Sequence, residues 1–200
     1  MSRVKNHRLA AVVAAAGLVG ASAVAVGGLS TASAQATAAA APVSRARTVV
    51  GPASEPGEPS VAHCPEGMRV LNGGYNTAAF SQSNGGEPYD GVQADAPLSD
   101  GKGWFAGLMT GRVQARAVCV PQDEAPRVVV GPTSGEHADS DAHCPEGTDA
   151  VGGGYYAQSW YKNGWGESQD AVTASAPLAG GKGWYARQFA GKVQARALCI

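Results

Sequence analysis

Charge, aromatic mass and sulfur are all scarce in this chain. Of its 200 residues 16% are charged and 6% aromatic, and it holds only four cysteines and three methionines. The 15 basic and 16 acidic side chains give a formal net charge of −1, so the basic face that nucleic-acid and anionic-membrane binding require is missing. No Cys-x-x-Cys or His-x-x-x-His pair offers ligands for a closed metal site. No Gly-x-Ser-x-Gly elbow, His-Glu-x-x-His helix or phosphate-binding glycine loop is present either. No window carries a capped helical stripe of apolar residues, so no helix is assigned to the mature chain. What is abundant is turn material, with 28 glycines and 12 prolines.

What is there is one unit used twice. Ala62-His63-Cys64-Pro65-Glu66-Gly67 returns as Ala142-His143-Cys144-Pro145-Glu146-Gly147, 80 positions later. The offset holds without a gap through Gly73-Gly74-Tyr75 and Gly153-Gly154-Tyr155, Ala96-Pro97-Leu98 and Ala176-Pro177-Leu178, and Gly101-Lys102-Gly103-Trp104 and Gly181-Lys182-Gly183-Trp184. A tandem duplication places repeat 1 at residues 47–120, a linker at 121–127 and repeat 2 at 128–200.

Residues 1–34 read as a signal peptide. Arg3, Lys5 and Arg8 form a positive start, an Ala/Val/Gly/Leu run follows from Leu9 to Leu29, and Ala32-Ser33-Ala34 is a small-x-small cleavage site. The rival, an uncleaved anchor, is disfavoured by the weak hydrophobicity of an Ala/Gly-rich run. Cleavage after Ala34 leaves 12 basic against 16 acidic residues, a net charge of −4, and a secreted, extracellular product with neither a nucleic-acid nor a membrane partner. Residues 35–46 are Ala-rich, lack periodicity and read as a flexible leader.

Within each repeat the periodicity is that of strands. Thr48-Val49-Val50 and Val128-Val129-Val130 are β-branched runs stopped by Gly-Pro. A polar loop follows, and then the Cys-Pro-Glu-Gly turn. Val113, Ala115, Ala117 and Cys119 alternate onto one face of the last strand of repeat 1. The expected fold is all-β: two homologous, disulfide-stapled units of about five short strands each, sandwich- or barrel-like, packed with pseudo-two-fold symmetry. Units of this size have marginal cores and need a staple.

Four cysteines behind an export signal imply two disulfides. Each repeat carries one cysteine before its turn and one in its final strand, so duplication selects Cys64 with Cys119 and Cys144 with Cys199. The alternative is Cys64 with Cys199 and Cys119 with Cys144, as a swapped final strand would produce.

Several residues invite a chemical reading and have a plainer one. His63 and His143 sit next to cysteines, but neighbouring strand residues point to opposite faces and cannot readily share an ion. Glu66 with Arg116, and Glu146 with Arg196, read as ion pairs closing the sheet end. Glu87 with Asp90, and Glu167 with Asp170, are carboxylate pairs of the kind a glycosidase uses, but they lie close together on a glycine-rich loop with no visible cleft between them. Glu136, Asp139 and Asp141 cluster in repeat 2 alone, without the spacing of a calcium loop. No cofactor, no metal and no catalytic residue is expected.

Positions where the copies differ are free to carry a role. Asn76 to Gly85 in repeat 1 holds one aromatic residue, whereas Tyr156 to Trp165 in repeat 2 holds Tyr156, Trp160, Tyr161 and Trp165 with polar residues between them. Such a segment suits a sugar-stacking or protein-contacting surface. It equally suits a core or the seam between copies, and the residues alone leave both open. Glycines on both sides of Trp165 place it at a turn tip.

The succession Cys-Pro-x-Gly, Gly-Gly-Tyr, Ala-Pro, Gly-Trp, Ala-x-Cys, present in both copies, resembles repeats in uncharacterised secreted proteins of Gram-positive actinomycetes. That resemblance covers nearly all of the mature chain and implies no activity, so no site residue follows from it. The expected function is a non-catalytic extracellular binding or interaction module with a carbohydrate or protein partner at the cell surface. The alternatives are an envelope or spore-surface structural protein, and a small secreted hydrolase or enzyme inhibitor.

Overall fold

Among the described residues, each repeat folds into six antiparallel strands. The computed structural model describes residues 45–82, 86, 90–165 and 169–200; the expected signal peptide, the leader up to residue 44, Glu87 and Glu167 lie outside the described residues. Repeat 1 contributes β1 (Arg47–Ala53), β2 (Ser60–His63), β3 (Met68–Ala79), β4 (Val92–Pro97), β5 (Gly103–Leu108) and β6 (Arg112–Pro121). Repeat 2 contributes β7 (Arg127–Thr133), β8 (Asp139–His143), β9 (Ala150–Ala157), β10 (Val172–Pro177), β11 (Gly183–Gln188) and β12 (Val193–Cys199). No α-helix occurs among the described residues, and a single 3₁₀ turn lies at Ala179–Gly181.

In repeat 1 the strands form two layers, β1-β6-β3 and β2-β5-β4, with the core between them. Repeat 2 repeats the plan with β7-β12-β9 and β8-β11-β10. The layers are open; no sheet closes into a barrel among the described residues. Where about five strands per unit are expected, six are described. The additional strand, β2 or β8, is four or five residues long, and one of its inward positions carries serine where an apolar residue would have signalled burial. Ser60 and Ala62 are buried, as are Ser140 and Ala142. Those serines bridge elements: Ser60 donates to the Pro52 carbonyl and accepts from Ala115 N–H at 2.9 Å, and Ser140 does the same with Pro132 and with Ala195 N–H at 2.8 Å. A buried hydroxyl with both roles filled is stable inside a core.

The core itself is thin. Ala62, Ala106, Ala115 and Ala117 are fully buried beside Val70, Val113, Leu108 and one large ring, Trp104. Room for that ring comes from Gly73, where a Cβ would stand 2.3 Å from the indole; Gly153 does the same for Trp184 at 2.4 Å. Disulfides Cys64–Cys119 and Cys144–Cys199 close each unit, with Cα–Cα distances of 5.6 and 5.7 Å. Each spans a separation of 55 residues, which the chain-entropy model values at ~4 kcal/mol, as large as the stability of a small domain. The reversal after Cys64 is set by Pro65 and by Gly67, which takes a left-handed φ of 77°.

The two units meet edge to edge. Strand β4 of repeat 1 pairs with β9 of repeat 2 through Ala94 with Tyr156 and Asp95 with Tyr155, fusing a six-stranded sheet β2-β5-β4-β9-β12-β7. Beyond that short ladder β4 rises over β9, and a Cβ at Gly154 would lie 2.0 Å from the Asp95 carbonyl oxygen. Pseudo-two-fold packing is not confirmed, because a two-fold would also pair β3 with β10, and no such pairing exists among the described residues. The joint is head to tail.

Candidate functional site

The loop between β9 and β10 is held in place by one carboxylate. Asp170 accepts hydrogen bonds from the backbone N–H groups of Tyr161, Ala171, Ala190 and Gly191 and from Gln188 Nε2, at 2.8 to 3.1 Å. Burial pushes its carboxyl pKa up, but the donors from Ala190, Tyr161, Ala171 and Gln188 favour the charged form and leave the pKa below the ordinary value. Gln188 also donates to the Ser159 carbonyl at 2.8 Å. Its Oε1 is buried without a partner, a cost of about 1–3 kcal/mol. Repeat 1 places Leu108 at the equivalent position and avoids that cost. Repeat 2 therefore buries a polar group to fix this loop.

Beside the loop lies a groove of about 700 Å³ lined by Glu136, His137, Trp160, Tyr161, Gln169 and Phe189 among others. Tyr161 is 58% and Phe189 62% exposed. His137 has φ 57°, left-handed for a residue with a side chain, where repeat 1 has Gly57 at φ 73°. Holding a histidine there costs on the order of 1 kcal/mol. Its ring donates from Nδ1 to the Phe189 carbonyl and stands edge-on to the Phe189 ring, with centroids 6.4 Å apart. The strained backbone thus presents an imidazole and a phenyl ring side by side at the rim.

The four aromatics singled out in the sequence divide into two pairs. Tyr156 is half-buried in the joint between the repeats, its ring edge-on to Phe105 at 5.5 Å. Trp160 is also half-buried; it lies across Gly91 of repeat 1, where a Cβ would come within 2.5 Å of the indole, and its other side lines the groove. Tyr161 and Trp165 face solvent, Trp165 at 90% exposure on a turn in which its N–H donates to Asn163 Oδ1 at 3.0 Å. His137 and Phe189 were missed from the sequence. The signal was available: matched position by position, repeat 1 has Gly57 and Met109 where repeat 2 has these two rings.

Other candidates resolve as structure. His63 and His143 are exposed strand ends, and no group of three metal-ligating side chains exists among the described residues. Asp139 is held by Arg187, which donates from Nε and, at 2.7 Å, from Nη2, and the guanidinium hydrogen bond lowers the Asp139 pKa. Asp90 caps its own loop through Ser81, Gly91 and Thr110 N–H groups. The expected ion pairs Glu66–Arg116 and Glu146–Arg196 are corrected, for neither forms among the described residues. The glutamates sit exposed in the turn, while the arginines lie on the outer sheet face. Arg196 instead donates from Nη1 to the Pro97 carbonyl at 2.6 Å and lies 4.8 Å above the Phe105 ring.

At the joint, Asp95 accepts from Trp104 Nε1 at 2.7 Å, yet burial outweighs that bond and raises its carboxyl pKa. Burial, with Asp95 and Tyr75 nearby, also pushes the Tyr155 phenol up. These perturbed groups lie in a packed seam. Compared with known proteins, the chain matches no family model, and no curated protein matches it significantly.

Proposed function

We propose that this is a secreted, non-catalytic binding protein, built from two related units, whose recognition surface is the groove of repeat 2 with its Trp165-bearing loop, and whose ligand is a carbohydrate. The observation that carries the reading is the pairing of exposed rings with a rigid support. Tyr161 and Phe189 face solvent beside backbone that Asp170 holds through the Tyr161, Ala190 and Gly191 N–H groups, and Trp165 faces solvent on the same loop. Rigid aromatic faces suit stacking on the apolar faces of sugar rings, and Gln169, Glu136 and His137 offer polar groups for hydroxyls. Repeat 1 has Gly57, Ser81 and Met109 in place of His137, Tyr161 and Phe189, so one site per chain is expected. The signal-like residues 1–34 and the two disulfides support an oxidising, extracellular setting.

Glycan-array screening of the purified protein tests this directly, with Trp165→Ala as its control. The expected result is binding to a defined glycan class that the variant loses, with the Tm unchanged because an exposed side chain contributes little to folding. Binding that survives Trp165→Ala, or an absence of binding to any glycan, would overturn the reading.

A further inference from the structure

The head-to-tail joint leaves β3 of repeat 1 and β10 of repeat 2 as sheet edges without a strand partner among the described residues. In the joint, the β4 backbone from Asp95 to Pro97 lies over Gly154 on the outer face of β9, and Arg196, the register partner of Gly154, reaches Pro97 and Phe105. The equivalent receiving surface in repeat 1 is a groove of about 290 Å³ whose lining includes Thr48, Asn72, Gly74, Tyr75 and Arg116. Gly74 pairs with Arg116 as Gly154 pairs with Arg196. Nothing lies within 4 Å of a Cβ built at Gly74, and its φ is not positive. Neither packing nor backbone conformation within the molecule requires a glycine there, in the middle of a strand that a side chain would favour.

The equivalent inserting edge, β10 with Ser175, Ala176 and Pro177, is likewise uncovered; Pro177 is exposed where Pro97 is buried. We propose that the protein associates head to tail with a second copy of itself, β10 of one molecule crossing Gly74 of the next. By the register of the joint, Asn76 then faces Ala174 and Tyr75 faces Ser175. Arg116 comes to lie over Tyr185, which stands where Phe105 does. The register partner of Phe105 is Val61, whereas that of Tyr185 is Asp141. Arg116, which makes no ion pair within the molecule among the described residues, thereby meets a carboxylate that the internal joint lacks. Charge complementarity identifies the occupant as this chain and not an unrelated strand. A repeated heterologous contact generates an open array or a ring.

Sedimentation velocity on the purified protein tests the proposal. Mass should rise with protein concentration and fall with added salt, since the new pair is near the surface. Gly74→Val fills the open cradle and is expected to keep the wild-type Tm while weakening association by at least about tenfold; Arg116→Asp and Asp141→Lys should each weaken it comparably. Mixed together, the two charge variants should associate more strongly than either alone. This keeps the test decisive even if Gly74→Val folds poorly. A wild type that stays monomeric up to millimolar concentration, or charge variants whose mixture is no stronger than its parts, overturns the proposal.

Discussion

At the scale of single residues, burial separates the tryptophans. Trp104 is 2% exposed and is the one large ring in a core otherwise made of alanine, valine, leucine and cysteine, so Trp104→Ala should cost ~3–5 kcal/mol and leave little or no folded protein. Trp165→Ala should change stability by less than about 0.5 kcal/mol. Chemical denaturation of both variants checks the contrast, and a large loss in Trp165→Ala would make that ring structural. Asp95 gives a test in pH. Its pKa is raised in the fold by burial, so the native state disfavours the carboxylate and loses stability as pH rises through the ordinary aspartate range to the folded value. Asp95→Asn keeps an oxygen acceptor for Trp104 Nε1. The variant should therefore be more stable than wild type at neutral pH, with the advantage shrinking to nothing in acid. Asp170 has the opposite sign: its lowered pKa stabilises the loop above the unfolded value, and that support is lost as pH falls through the folded one. Melting curves against pH distinguish the two, and an Asp95→Asn effect independent of pH would refute the assignment.

At the scale of elements, strands were legible where period-two alternation was long and apolar. In β6, Val113, Ala115, Ala117 and Cys119 are all fully buried as the spacing requires. Strands β2 and β8 were hidden because serine carries the buried alternate position and the runs are only four and five residues long. The aromatic loop was legible as different, and Trp165, flanked by glycines, is 90% exposed at its tip. What separates Trp160 from Trp165 is Gly91, almost 70 positions away in the other repeat, and no local pattern records that contact. His137 escaped for a related reason: a left-handed histidine looks ordinary in sequence and is conspicuous only against Gly57. The disulfides are the most decisive elements. Cys64→Ser and Cys119→Ser should each cost on the order of 4 kcal/mol, and the double variant should add little because both remove one bond. Unequal single losses in denaturant titration would show that one sulfur has a further role.

On the scale of the whole molecule, the two units carry matching edge strands but form only one of the two possible joints. Arg196 and Arg116 are the same residue in the two copies and have different work. Arg196 is half-buried, its pKa lowered by burial, with Nε unpartnered, Nη1 on the Pro97 carbonyl and the guanidinium over Phe105. The unmet desolvation offsets part of what those contacts contribute, so Arg196→Ala should cost about 1–2 kcal/mol. Arg116 is exposed, and Arg116→Ala should leave the isolated molecule's stability unchanged. Gly154→Val would drive a side chain into the Asp95 carbonyl and should separate the repeats without entering the core cluster of repeat 2. Because each repeat has its own core cluster and disulfide, calorimetry should resolve a single transition in the wild type into two in Gly154→Val. The transition of repeat 1 should then fall further, since its cluster includes Leu198 from β12 and so draws on its neighbour for part of its core. One unchanged transition in Gly154→Val would mean that the linker alone couples the units and that the β4–β9 joint is dispensable.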